Sequence, residues 1–501
     1  MQFVSFGFLL FAAVLLTLYY TIPKKGQWIL LLAASYVFYL WAGVKILGFI
    51  LFTTLSTYGA AYLMDKRLTA LAALPKEEKK AQKAIVKKKN RILMILCLVA
   101  NFGILAVCKF RFSFQGIALP LGISFYMFQS VGYMIDVNRG TVKAQKNLPR
   151  FALFVSYFPQ LLQGPISKYA QLGEQLTAEH AYDGKQVAFG LQRMLWGYFK
   201  KLVIADRIAV AIGALKGPEY TGVSFFVLTV FYAVQIYGDF TGGIDMAMGL
   251  SQALGITLPE NFIRPFFSKN IAEYWRRWHI TLGTWMKDYI FYPISVSGPM
   301  RKLSKSARAK FGNFGKRLPV YVASIATWFV TGIWHGLTPN FVVWGMLNCF
   351  VIVVSEELMP LYEKFHNRFG LKSKKWYSGF EMLRMFILMN LIRIVDLFPH
   401  VGDYFRRMGS LVTTFNFHIL WDGTLMNLGL TGLDYAILGG GIVLMFAVSL
   451  FQEKKGSVRE WLQSKKAWLR YGLIFALLLV VLLMGSYGIG YDAGNFIYNQ
   501  F

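Results

Sequence analysis

Thirteen apolar runs, most of them long enough to cross a bilayer as a helix, are strung along this 501-residue chain. They lie near 3–22, 28–44, 46–64, 92–110, 117–136, 150–164, 186–214, 220–250, 318–337, 340–358, 379–397, 433–452 and 470–489. In lipid every backbone amide and carbonyl must be satisfied within the protein, so runs of this kind fold as helices. Hydrophobic residues make up 56% of the chain and charged ones 16%, which excludes a set of soluble domains. The expected fold is an all-α polytopic membrane protein in one integral-membrane domain, 1–501. Because several runs are over-long or interrupted, hydropathy supports roughly 10–12 transmembrane helices, with re-entrant and interfacial helices besides.

The formal net charge is +28, yet the basic residues crowd into short segments between the apolar runs. Segment 65–91 holds ten Lys or Arg against three acids, and 301–317 holds seven against none. Segments 364–375 and 454–470 repeat the pattern. By the positive-inside rule all four are expected to be cytoplasmic loops facing anionic lipids. No nucleic-acid module accompanies the charge, so nucleic acid is not a partner class here. The N-terminal run has no Lys or Arg before it and Lys24 and Lys25 just after it. It is expected to be a retained first span with its start outside. Cys97, Cys108 and Cys349 lie in or beside apolar segments, with neither metal spacing nor a disulfide framework.

Two runs resist the simple helix. Segment 118–136 opens on Pro120 and Gly122, and 160–172 breaks at Gly164 and Pro165. Broken backbone at membrane depth is tolerated only where protein or a cavity covers it, so both are expected to wall an internal chamber.

A third break carries an imidazole. "TGIWHGLTPN" (331–340) interrupts the stretch 318–358, which has no Lys or Arg. From Leu318 to His335 is about 26 Å of helix, and the run 341–355 returns only about 22 Å. Against a hydrocarbon core of roughly 30 Å, the turn is expected within the membrane. An imidazole titrates near neutral pH, so His335 suits general-base work.

The densest chemistry is "ENFIRPFFSKNIAEYWRRWHITLGTWMKDYIFYPI" (260–294). From Glu273 onward the spacing predicts a helix to 292, with Trp275, His279, Leu282 and Met286 on one face. Glu273 and Arg277 are expected to pair at i, i+4. Arg276, Arg277 and the other charges forbid a lipid-exposed span, so an interfacial helix directing His279 inward is expected; a plain Trp/Arg interfacial anchor is the alternative. In "YGDFTGGIDMAMGL" (237–250), Asp239 reads either as a cap among packing glycines or as a carboxylate lining a polar chamber.

Taken in order, "LPLGISFYMFQSVGYMIDV" (119–137), "YFPQLLQGPI" (157–166), "YGDFTGGIDMAMG" (237–249), "NFIRPFFSKNIAEYWRRWH" (261–279) and "GIWHG" (332–336) resemble the membrane-bound O-acyltransferases. The similarity is to the bacterial polysaccharide (alginate-type) O-acetyltransferase branch, whose typical ending the closing "FIYNQF" (496–501) also resembles. The resemblance implies that His335 is the catalytic histidine, His279 its second characteristic histidine, and that a central chamber joins a cytoplasmic donor to an extracytoplasmic acceptor. The implied co-substrate is acetyl-CoA, with no tightly bound cofactor or metal.

On this reading His335 takes the acceptor proton and His279 serves the donor, with Trp275 and Trp278 walling the tunnel. Arg276 supports that segment, and Asn340 is a candidate oxyanion donor. The resemblance further implies an extracytoplasmic polysaccharide, or a partner acetyltransferase with a Ser-Gly-Asn-His-type hydrolase fold, and a bacterial plasma-membrane location. Two alternatives stand beside it. One is a teichoic-acid D-alanyl transferase. The other is a proton-coupled transporter using His335 and Asp239, although the repeated halves such a fold favours are absent from the sequence.

Overall fold

The computed structural model describes residues 2–487 and 496. The chain is 81% helical, with no strand among the described residues. Among the described residues six helices are long and apolar enough to cross a membrane: Val44–Ala73, Lys76–Gln115, Val223–Ala253, Pro339–Glu357, Gly432–Lys455 and Ala467–Met484. The chain is therefore a multi-pass membrane protein. Six is fewer than the apolar runs suggest, because hydropathy does not see local breaks. Run 186–214 is interrupted by a π-helical segment, Phe199–Ala205, and 379–397 ends in a 3-10 turn, Ile394–Leu397. The first helix, Phe6–Thr21, has only 16 residues.

The basic segments are not open loops. Residues 65–91 continue two helices, Leu47–Ala73 and Lys76–Gln115, which part only at Leu74 and Pro75. Residues 301–317 begin a 38-residue helical stretch, Gly298–His335, broken at Gly312 by a left-handed backbone (φ 55°).

Two compact units are present: residues 1–194 with 246–259, and 195–245 with 260–501. In the first, the two broken segments pack on each other. Gly122 has φ 66°, and a Cβ there would lie 2.3 Å from the carbonyl oxygen of Leu161. Only glycine allows that backbone and that approach. Gln129 donates to Gln160 Oε1 (3.0 Å) and to the carbonyl of Pro165 (3.4 Å).

The second unit contains every candidate site residue named above. Its central hairpin runs from Gly298–His335 into Pro339–Glu357. Glycines set its spacing: a Cβ on Gly332 would meet the carbonyl oxygen of Phe341 at 2.5 Å, and one on Gly345 that of Trp328 at 2.4 Å. The returning helix has 19 residues, or about 28 Å. That is longer than the apolar run alone suggested, and it removes the length argument for a turn deep in the membrane.

Candidate functional site

The stretch after Glu260 does not form the single helix expected over 273–292. Asn270 caps a short helix, Ile271–Arg277, by accepting from the Glu273 amide at 2.9 Å. Glu273 and Arg277 pair at 2.8 Å as their spacing predicts. Trp278 is then extended, and His279 takes a left-handed backbone, φ 47° and ψ 49°. The break is imposed from eighteen residues upstream. Backbone bonds join Ile263 N to Arg277 O (2.9 Å) and Ile280 N to Asn261 O (3.0 Å). The side-chain oxygen of Asn261 accepts from Thr281 N (3.1 Å) and Thr281 Oγ1 (2.8 Å), starting a second helix, Ile280–Met286. A π-helical turn, Lys287–Phe291, follows. So His279 sits at a joint between two helices, and the single face expected to hold Trp275, His279, Leu282 and Met286 does not form.

A left-handed non-glycine residue costs on the order of 1–3 kcal/mol, a strain that clusters at functional sites. Packing holds it here. The buried His279 ring meets Phe240 edge-on at 5.0 Å, Phe262 at 6.4 Å and Trp334 at 6.0 Å between centroids. Its Nδ1 faces Asn261 Oδ1 at 3.3 Å. Because that oxygen already accepts from Thr281, Nδ1 must be the protonated nitrogen, which leaves Nε2 with a lone pair. His279 lies outside the six spanning helices. Burial, and secondarily the Arg393 guanidinium, hold its pKa down at about 3, so the imidazole is neutral at physiological pH.

His335 ends its helix, and Gly336 N closes the last turn on Gly332 O at 3.1 Å. The turn expected at 331–340 is present. Around His335 stand Trp334 (4.9 Å), Trp344 (4.7 Å, edge-on) and Phe341 (6.4 Å, stacked). Trp328 and Trp344 are 6.0 Å apart, and Trp275 meets both, at 4.8 and 5.9 Å. The Trp275 indole Nε1 is sealed from solvent with no protein acceptor. Sequence spacing set the two histidines at different depths. Both rings pack against Trp334.

The other candidates divide. Trp278 is buried, stacked on Tyr274 at 5.8 Å, with the Arg393 guanidinium 4.0 Å over its ring. Arg276 is exposed, away from this buried cluster. Asn340 donates from Nδ2 to the carbonyls of Val395 (3.4 Å) and Asp396 (3.3 Å). Its remaining side-chain atom, Oδ1, can only accept, so in this arrangement the Asn340 side chain offers no donor to an oxyanion. Asp239 is 2.5 Å from Lys201, which also reaches Asp206 at 2.7 Å. The neighbouring Lys200 binds Asp245 (2.6 Å) and Thr241 (2.7 Å). The wide π turn lets consecutive buried lysines both reach carboxylates. These lysines escaped the sequence reading, though two lysines inside an apolar run call for acids somewhere.

A family model described as the membrane-bound O-acyltransferase family matches residues 142–395. The chain is 35% identical over 350 residues to the Azotobacter vinelandii protein named "Probable alginate O-acetylase AlgI", covering 67% of this chain and 64% of that one. It is 30% identical over 319 residues to a Helicobacter pylori peptidoglycan O-acetyltransferase, covering 55% and 58%. A Bacillus subtilis teichoic acid D-alanyltransferase is 28% identical over 263 residues, covering 51% and 63%. Each match thus spans less than two thirds of the relative's length.

Proposed function

Since the chain belongs to the membrane-bound O-acyltransferase family, we propose that it moves an acetyl group from a cytoplasmic thioester, acetyl-CoA, to a hydroxyl acceptor for O-acetylation of an extracytoplasmic polysaccharide. The observation that carries this reading is the convergence of His279 and His335 on Trp334. His335, half-buried at the hairpin turn, removes the acceptor hydroxyl proton as the oxygen attacks the thioester carbonyl. The C–O bond forms, the C–S bond breaks, and the proton passes to the departing thiolate. Neutral His279 supplies no charge and shapes the site through its packing against Phe240 and Trp334. The tryptophans around His335 exclude water that would otherwise hydrolyse the thioester.

The acceptor is either the polysaccharide itself or a partner acetyltransferase of the Ser-Gly-Asn-His type. Acetyl rather than D-alanyl transfer is favoured because the acetylase relatives match over more of the chain at higher identity. The protein sits in the bacterial plasma membrane, where a cytoplasmic donor and an external acceptor can both reach it. The test uses purified protein and labelled acetyl-CoA, following ester formation in wild type, His335→Gln and His279→Gln. Loss of a general base is typically worth 10²–10⁴-fold, so His335→Gln should fall by about that factor in kcat with the fold retained. A His335→Gln variant keeping more than about a tenth of wild-type turnover removes the base assignment. Turnover of D-alanyl carrier protein in place of acetyl-CoA would shift the reading to the other branch.

A further inference from the structure

Beyond the two histidines, the second unit's polar atoms that are sealed from solvent without a protein partner include four that the fold sets near one another. They are Tyr232 Oη, Asn340 Oδ1, Arg393 Nε and Asp396 Oδ1. Tyr232, Asn340 and Arg393 are almost completely buried. The backbone gathers three of them: Arg393 caps the 3-10 turn that carries Asp396, and Asn340 is hydrogen-bonded to the backbone of that same turn. The Tyr232 hydroxyl lies in the electrostatic field of both Asp396 and Arg393. Arg393 and Asp396 form no ion pair with each other. The guanidinium instead donates to Tyr274 Oη at 3.0 Å and stacks on Trp278. A buried guanidinium and carboxyl three residues apart, each with an unused atom, are costly unless something bridges them.

Donor and acceptor chemistry narrows what that is. Arg393 Nε can only donate, Asn340 Oδ1 can only accept, Tyr232 can donate, and Asp396 accepts when ionised. A phosphate or carboxylate brings acceptors alone and would face Asn340 and Asp396 with nothing to give. Each hydroxyl of an adjacent pair both donates and accepts, and two of them satisfy all four atoms. We propose that Tyr232, Asn340, Arg393 and Asp396 form a recognition site for a vicinal diol, such as that of a sugar ring or a glycerol headgroup. The proposal rests on the acyl-transfer reading only in making that diol part of the hydroxyl acceptor. The link to the chemistry is short: Trp278, under the guanidinium, precedes His279, and Asn340 lies in the first turn of the helix returning from His335.

The experiment uses the full chain in a detergent without a sugar headgroup and measures thermal stabilisation by a neutral mannose oligosaccharide. A second arm uses nanodiscs of phosphatidylglycerol or phosphatidylethanolamine, whose headgroups differ in carrying the diol. One of the two diol sources should stabilise wild type, and Asp396→Asn and Tyr232→Phe should each need about tenfold more of it. Tyr232→Phe removes one oxygen, so it keeps the test alive if Asp396→Asn fails to fold. Neither diol source binding wild type, or both variants binding like wild type, overturns the proposal. A raised KM for acetyl-CoA with unchanged diol binding assigns the cluster to the donor and overturns it equally. Diol binding lost in the variants of a protein that never consumes acetyl-CoA would instead defeat the acyl-transfer reading and leave the diol site standing.

Discussion

His279 is strained, buried and neutral, and each property follows from the others. The left-handed backbone turns the ring inward between Phe240 and Trp334, and burial with the nearby guanidinium then opposes its protonation. The sign of the pH dependence follows. With the folded pKa at about 3 against an ordinary 6.5, the unfolded chain takes up the proton first as pH falls. His279 therefore costs no stability above about pH 6.5 and progressively more between that pH and 3. Unfolding of the detergent-solubilised protein, followed from pH 7.5 to 4.5, should show a decline that is shallower in His279→Gln. Equal slopes in the two proteins would mean that His279 reaches water and is not held neutral. Asp396 shifts the opposite way: burial, opposed by Arg393, raises its carboxyl to about 7. Its contribution is present at low pH and lost as pH rises through 7, so the comparison must be made between variants and not on wild type alone.

At the scale of single elements, what can be read from sequence depends on where the cause lies. The start capped by Asn270 lies two residues before the Glu273 that the spacing gave, whereas the turn holding His335 has a local cause, a breaker cluster, and is legible. The joint at His279 is not, because Asn261 imposes it from outside the helical pattern. Nor are the partners of Asp239, since Lys201 lies 38 residues away and only the π turn aims it. That turn makes an unequal prediction. Lys201 bridges Asp239 and Asp206, so Lys201→Met takes the shared cation from two carboxylates and should cost about 3–5 kcal/mol, the usual penalty for breaking a buried pair. Asp239→Asn leaves Lys201 paired with Asp206 and should cost clearly less. Thermal unfolding of the two variants side by side decides it. Similar losses would show that the lysine is not shared between the two acids.

Over the whole molecule, charge placement is the information that sequence carries best, because it is set by membrane insertion and not by packing. Residues 65–91 and 301–317 remain the basic ends of long helices, exposed over most of their length, so their helical form leaves the topological argument intact. Both should lie on the cytoplasmic side, with the N-terminus outside. Residues 80 and 305 are exposed lysines on these helices, well placed for single-cysteine labelling. Cys97, Cys108 and Cys349 are unpaired, so replacing them for a clean background breaks no disulfide. In intact cells an impermeant maleimide should leave Lys80→Cys and Lys305→Cys unlabelled, while permeabilised cells label both. The seven basic residues at 301–317 precede the very stretch that ends in His335, so this second position matters most. If it is cytoplasmic, the helix from Leu318 carries His335 about 26 Å from the donor's side, toward an acceptor arriving from outside. Labelling of Lys305→Cys in intact cells would reverse that direction and with it the proposed route of the acetyl group.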